Sequence, residues 1–299
     1  VHKQGATCVV GDGPAVNISK QIASFSGVKK ICEEEGVSII DLKTPKKILT
    51  PDGKIAKFIY IARELDDFDK IINLPKLKNH GLTQITVAGK NLYGVIPSLR
   101  KIEYHFKYKE ITEFNSLILE LNRIVKPVIN IVDAIVGMEG NGPGAGDPKQ
   151  CNSIIMGSDT IAVDYIAARI MNYDPDSIPY FQTAREYNYG GYKEELIKLK
   201  GDRLEDRIVK DFKTIKGKSS PKMVPLFLQN IISQFIIKKP VISKLKCIGC
   251  GKCLKVCPPK VITLKNKKAK IKYKGCIKCY CCFEVCPEKA INLKIRPFS

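Results

Sequence analysis

Cys247-Ile-Gly-Cys250-Gly-Lys-Cys253-Leu-Lys-Val-Cys257-Pro258 is followed by Cys276-Ile-Lys-Cys279-Tyr-Cys-Cys282-Phe-Glu-Val-Cys286-Pro287, the same C-x2-C-x2-C-x3-C-P spacing twice over. Three thiolates on a short loop can wrap one face of an iron–sulfur cubane, and the fourth, redirected by the proline, reaches the neighbouring cubane. The repeat therefore predicts two [4Fe-4S] clusters, one on Cys247, Cys250, Cys253 and Cys286, the other on Cys276, Cys279, Cys282 and Cys257. A zinc ribbon would arrange its ligands as two separated pairs, without a run of four ending in proline. Cys281 sits beside a ligand but off the spacing and reads as a bystander. Cys8, Cys32 and Cys151 lie in or beside apolar segments, where a free thiol behaves as a small buried hydrophobe.

The grouping of eight of the twelve cysteines into these runs favours metal over a disulfide framework. Charge follows the same division: residues 240–299 carry fourteen Lys and one Arg against two Glu, a net of +13 out of +20 for the chain. Lys238 to Gly275 holds thirteen Lys and no acidic residue, and Lys265, Lys267, Lys268, Lys270, Lys272 and Lys274 alternate with Ala269, Ile271 and Tyr273 as a strand with one cationic face would. That face suits a solvated surface or an acidic redox partner protein; nucleic acid is disfavoured by the scarcity of Arg. The most apolar stretch, Val224 to Ile237, is broken by Pro225, Gln229, Asn230, Ser233 and Gln234 and is too short to span a bilayer. With no signal-peptide pattern at Val1, a cytoplasmic location is expected.

Upstream of about residue 190, strand-like and helix-like segments alternate, which predicts an α/β fold with a largely parallel sheet and flanking helices. Strands are expected at Ala6–Val10, Val37–Leu42, Ile55–Ala62, Lys70–Leu74, Pro127–Val136 and Asn152–Met156. Helices are expected near Leu82–Tyr93, Ile111–Val125 and Thr160–Asn172, and from Ser19 through Ile22, Phe25, Val28, Ile31 and Cys32 to a stop at Gly36. The division expected is 1–215 for the α/β domain, 216–243 for a linker and amphipathic helix, and 244–299 for the cysteine domain.

Leu74-Pro75-Lys76-Leu77-Lys78-Asn79-His80-Gly81-Leu82-Thr83, Gly89-Lys90-Asn91-Leu92-Tyr93-Gly94, Ile131-Val132-Asp133 with Gly137-Met138-Glu139-Gly140-Asn141-Gly142-Pro143, and the Ser158-Asp159 to Asp164 run resemble the domain-of-unknown-function 362 family. The likeness spans most of residues 5–190. It implies a C-terminal bacterial-type, ferredoxin-like two-[4Fe-4S] domain, and, since a strand and helix normally precede the stretch matching Gly5-Ala6 in that family, the front of the sequence is expected to be incomplete. A more distant similarity, to the lactate racemase family, rests on the order His80, Lys90, His105, which implies a catalytic His ahead of a cofactor-bearing Lys and a second His.

His titrates near neutrality, and an uncharged Lys can anchor a cofactor or act as a nucleophile, so His80, Lys90 and His105 are the candidate catalytic residues. The Gly-rich loop Gly137 to Pro148 follows a strand but opens no helix and ends in no G-K-[ST], so it is no dinucleotide or P-loop fingerprint. Its amides could still nest an anion. Lys76, Asn91, Asp133, Glu139, Asn141 and Gly142 are accordingly the candidate cofactor-binding residues, around a small anionic substrate. The ligand site is expected between the His80–Lys90 segment and this loop, within the α/β domain and away from the cysteine domain. Three functions remain open: an oxidoreductase moving electrons between clusters and that site, a non-catalytic redox sensor or scaffold, or a racemase-like proton- or hydride-transfer enzyme using His80, Lys90 and His105.

Overall fold

The computed structural model describes residues 1–13, 27–50, 53–108, 110–144, 146–215, 238–257, 259–276 and 280–295. The expected first half of the Ser19 helix, the Lys216–Pro221 linker and the Val224–Ile237 segment lie outside them.

The chain begins with a parallel pair, β1 (Val9–Asp12) and β2 (Ser38–Asp41), with α1 (Val28–Glu34) between them in sequence. A hairpin, β3 (Pro45–Leu49) against β4 (Phe58–Ala62), follows. The central sheet is built on β8 (Ile129–Glu139). One side of it pairs in parallel with β5 (Ile72–Asn73) and β6 (Lys76–His80), two halves of one run broken at Leu74–Pro75. β9 (Asp147–Gly157) runs antiparallel to β8, and β7 (Gln84–Thr86) antiparallel to β6.

The sheet is therefore mixed, not largely parallel. The Gly-rich segment between β8 and β9 is a hairpin connection, Gly140 to Gly146, and a link that short cannot return the chain parallel, which takes a dozen or more residues. The expected Leu82–Tyr93 helix is also replaced by β7, a four-residue α2 (Ala88–Asn91) and a 3-10 turn, Leu92–Val95. Thr83 Oγ1 donates to the Ile85 carbonyl and Gln84 adopts φ 64, so local polar bonding stops a helix from starting where the apolar spacing would allow one.

The helices α4 (Ile111–Val125) and α5 (Thr160–Ile170) form as the periodicity predicts. Each is buried on nearly every side: Phe114, Leu117, Ile118, Leu119 and Leu121 of α4 are at most 2% exposed. α4 buries Asn115, Ser116, Glu120 and Asn122 as well, and both helices join α6 (Pro179–Glu186) and residues of the sheet in one core. Asp159 caps α5 by accepting the amides of Ile161 and Ala162.

The cysteine domain has two antiparallel pairs, β10 (Lys238–Ile242) with β13 (Ile291–Ile295) and β11 (Ile262–Lys265) with β12 (Lys268–Ile271), and two one-turn helices, α7 (Lys252–Lys255) and α8 (Cys281–Glu284). β11 and β12 are joined through Asn266 and Lys267 at φ 51 and 55, the left-handed pair that a two-residue hairpin needs. Its small core, with Phe283 and Ile291 at 2% exposure, takes in Leu82, which also touches the large core. The two domains thus meet at the turn after β6.

Candidate functional site

The first three ligands of the leading run and the fourth of the trailing one line a single cavity: Cys247, Cys250 and Cys253 on one wall, Cys286 on the other. Gly249 and Gly251, both at φ 74, give the loop its turns, and any side chain on Gly249 would strike the Lys267 carbonyl. Burial, then the neighbouring Cys250, Cys247 and Cys286, pushes the Cys253 thiol up to about 11. The amide of Ala269 donates to Cys247 Sγ at 3.4 Å and that of Ala290 to Cys286 Sγ at 3.3 Å, bonds that suit thiolate ligands. These four thiols fit a cubane.

In the second run, Cys282 is buried on α8, Cys257 and Cys276 are partly exposed, and Cys279 lies outside the described residues. Tyr280 repeats the left-handed cap of Gly251, at φ 62, so the two runs share backbone geometry as well as spacing. Cys281 is buried on α8 beside Cys282.

α8 carries a second feature. Glu284, between Cys282 and Cys286 of the trailing run, places Oε1 3.0 Å from His80 Nε2. His80 ends β6 and is 2% exposed; its Nδ1 accepts the amides of Leu82 and Thr83 at 3.1 and 3.2 Å. With Nδ1 an acceptor, the ring proton sits on Nε2, facing the carboxylate. Both atoms are buried, and at 3.0 Å neither His80 Nε2 nor Glu284 Oε1 is in line for a hydrogen bond with any partner among the described residues. Burial holds the imidazole below its ordinary value against the pull of Glu284. Burial would raise the Glu284 carboxyl, but the approach of His80 and the charge of Lys90 overcome it and hold it below its ordinary value.

Around this pair the structure gathers Lys90 from α2 and Lys101 and His105 from α3 (Ser98–Lys107), where a spacing of four puts the latter two on one face. Lys90 Nζ lies 4.5 Å from the Tyr93 ring centroid and 5.5 Å from that of Phe114, a cation over two aromatic faces. His105 stacks on Phe114 at 4.7 Å and meets Tyr93 edge-on at 5.5 Å. Burial, reinforced by Lys90, pushes His105 down to about 3, so it is neutral at pH 7. Lys101 bonds to the Gly13 carbonyl, and burial lowers it to about 8 despite Asp12. Burial also lowers Lys78 and Lys90, both drawn back by Glu284.

Sequence reasoning named His80, Lys90 and His105, and the fold brings all three together. It missed Lys78, Lys101 and Glu284, which are unremarkable in sequence, and also Asp164. That carboxylate, 2% exposed on α5, accepts the amides of Ala88 at 2.6 Å and Gly89 at 2.9 Å. α2 has no capping side chain of its own, so Asp164 caps it from another element and fixes the turn bearing Lys90. The Ser158-Asp159 to Asp164 run held the only signal.

The candidate cofactor-binding residues are placed differently. Lys76 and Asp133 pair with each other at 2.6 Å on the exposed side of the sheet. Asn91 donates to Asn73 Oδ1 at 2.8 Å. Glu139, 4% exposed, accepts the Lys213 amide at 2.9 Å and meets Lys213 Nζ at 3.2 Å. Asn141 is exposed, and Gly142 is buried where any Cβ would clash with the Asn79 carbonyl. The loop does converge on the His80 turn, because a Cβ on Gly144 would lie 3.1 Å from the Glu284 carbonyl. The wall facing His80 nonetheless comes from the cysteine domain, contrary to the expectation of a site remote from it.

An α/β domain joined to a domain with this cysteine geometry defines an iron–sulfur protein. Residues 239–287 match a 4Fe-4S dicluster domain. Residues 1–169 match the domain of unknown function DUF362, and the chain belongs to that family. The thylakoid-associated protein sll1697 of Synechocystis sp. (strain ATCC 27184 / PCC 6803 / Kazusa) is 29% identical over 180 residues, covering 60% of this chain and 56% of that protein. The chain thus spans about half the length of that relative. Among the described residues no helix is long and apolar enough to cross a membrane.

Proposed function

We propose that this chain is an oxidoreductase that holds two [4Fe-4S] clusters on the eight cysteines of its repeated runs and exchanges electrons with a small anionic substrate at the His80–Lys90–Glu284 nest. When bound, such clusters supply one-electron transfer. The observation that carries the reading is the 3.0 Å approach of His80 Nε2 to Glu284 Oε1, since Glu284 stands between two cluster ligands and His80 belongs to the α/β domain. One helix turn therefore serves both the cluster shell and the nest.

The chain's own groups have distinct parts. Lys90, with Lys78 and Lys101 beside it, offers positive charge for an anion; His80 offers a proton at Nε2; buried rings exclude water on the Tyr93–Phe114 side. The supporting test is substrate-dependent reoxidation of the dithionite-reduced protein, followed by visible absorbance across candidate carboxylates and phosphates. His80→Gln should abolish that reoxidation with iron content unchanged; a variant that reoxidises as fast as the wild type refutes a role for the nest.

A second reading has one observation in its favour, the convergence of His80, Lys90 and His105 around Glu284. It makes the nest a proton-transfer site, with the clusters structural. Exchange of substrate hydrogen with solvent deuterium in the absence of any electron donor would select it. A sensor or scaffold would show neither reaction.

A further inference from the structure

The surface over the leading cysteine run combines three features that the nest does not use. Cys250 is exposed, whereas Cys247 and Cys253 beside it are buried. Large apolar side chains stand open around it: Leu245 is 96% exposed, Ile248 61% and Leu264 44%. The β11–β12 turn lies directly on the same loop, because a Cβ on Gly249 would strike the Lys267 carbonyl, one on Gly251 would touch Leu264 Cδ1 at 3.9 Å, and Lys268 Nζ bonds to the Cys247 carbonyl at 2.6 Å. Lys246, Lys265 and Lys267 are exposed there, and among the described residues no carboxylate pairs with them. Glu288 is the carboxylate that lines the cavity.

We propose that this face, centred on Leu245, Ile248 and Leu264 and rimmed by Lys246, Lys265 and Lys267, is the docking surface for an acidic one-electron carrier protein. Charge complementarity commits it to that occupant. The cysteine domain holds +13 over residues 240–299, and the roughly −4 of two oxidised four-thiolate cubanes leaves it cationic. A merely solvated Lys face would not need three open aliphatic side chains at its centre, while a protein interface uses an apolar middle with a charged rim. Nucleic acid is the weaker fit, because reading bases and phosphates favours Arg and aromatics, which this face lacks. The exposed ligand at the centre puts the carrier where one electron can pass in either direction with no proton or leaving group moving. Glu284, two residues after the buried Cys282, approaches His80 instead. The inference rests on the electron-transfer reading, and iron content is measured throughout so that the two fail separately.

The experiment is a binding titration of the iron-loaded full chain with an acidic [2Fe-2S] ferredoxin as probe, by calorimetry, at low and high salt. Affinity should fall about tenfold or more between ~0.05 and ~0.5 M salt, since exposed charges are screened within a few ångströms at the upper value. Lys265→Glu with Lys267→Glu should weaken binding at least about tenfold, and Leu245→Ala about fivefold, with iron unchanged. Lys29→Glu with Lys30→Glu on α1, where both side chains are exposed, should leave it unaltered. No binding by iron-replete protein, binding indifferent to salt and to the hairpin charges, or equal weakening by the α1 variant would overturn the proposal. Retention of a DNA duplex as tightly as the ferredoxin, lost with the same hairpin charges, would overturn it in favour of a polyanion surface.

Discussion

Asp164→Ala tests whether one buried carboxylate holds the turn that carries Lys90. In the wild type it accepts two amides, Ala88 at 2.6 Å and Gly89 at 2.9 Å, at 2% exposure. Truncation leaves both N–H groups buried with no acceptor, at about 1.5–2 kcal/mol each, or roughly 3–4 kcal/mol together near pH 7. For a domain of this size that corresponds to a fall in Tm of roughly 6–16 °C. The loss also depends on pH. Burial raises this carboxyl to about 7, so the folded state binds its proton where the unfolded chain has released it, and wild-type stability falls as pH climbs from about 4 to 7. The gap between wild type and variant should therefore widen by about 2 kcal/mol on going from pH 7 to pH 5.5. Urea unfolding of the iron-loaded protein at both pH values, followed by far-UV circular dichroism, measures this. Substrate-dependent reoxidation should drop in parallel while iron stays constant. A loss below about 1 kcal/mol, with a pH-independent gap, would show that solvent or another group caps α2 and that Asp164 does not position Lys90.

Anaerobically prepared protein should contain about eight iron and eight sulfide per chain, as two cubanes require, with stoichiometric zinc as the refuting result. Cys257→Ala should disturb the cluster assigned to Cys276, Cys279 and Cys282, whereas Cys281→Ser should leave the iron content and the electron paramagnetic resonance of the reduced protein largely intact; equal damage from both would make Cys281 more than a bystander. The imidazole of His105, lowered to about 3 by burial, gives the opposite sign to Asp164: the unfolded chain takes the proton first, so stability falls as pH drops below about 6.5. His105→Phe keeps a ring against Phe114 and should remove about 2 kcal/mol of the loss seen between pH 7.5 and pH 5 in urea midpoints, and an unchanged pH slope would contradict it.

Short-range chemistry in the sequence marked the cysteine domain as an iron–sulfur domain, which the dicluster match over residues 239–287 bears out. A repeated ligand spacing, proline included, is a local constraint, because sulfur positions depend on a loop a few residues long. The same holds for α4 and α5, whose apolar residues recur at helical spacing and demand burial from any fold that holds them. The character of the sheet was not legible in this way. β8 and β9 read as strands, but direction is decided by whether the link between them is long enough to cross over, and the Gly-rich run looked equally like a ligand loop and a turn. β6 escaped notice because two lysines dilute its pattern, although Leu77 within it is wholly buried.

The nest depended on tertiary structure. His80, Lys90 and His105 drew attention because His and Lys carry chemistry wherever they stand, but nothing local tells a buried Lys101 or Lys78 from the many Lys on the surface. Glu284 in sequence is one residue inside a ligand run. Only the docking of α8 against the turn after β6 makes it the partner of a histidine some two hundred residues earlier, and only burial there turns an ordinary carboxylate and imidazole into a site. Pairing across such a separation leaves no periodicity or spacing to read, since what selects the partners is shape and charge at the meeting of two domains.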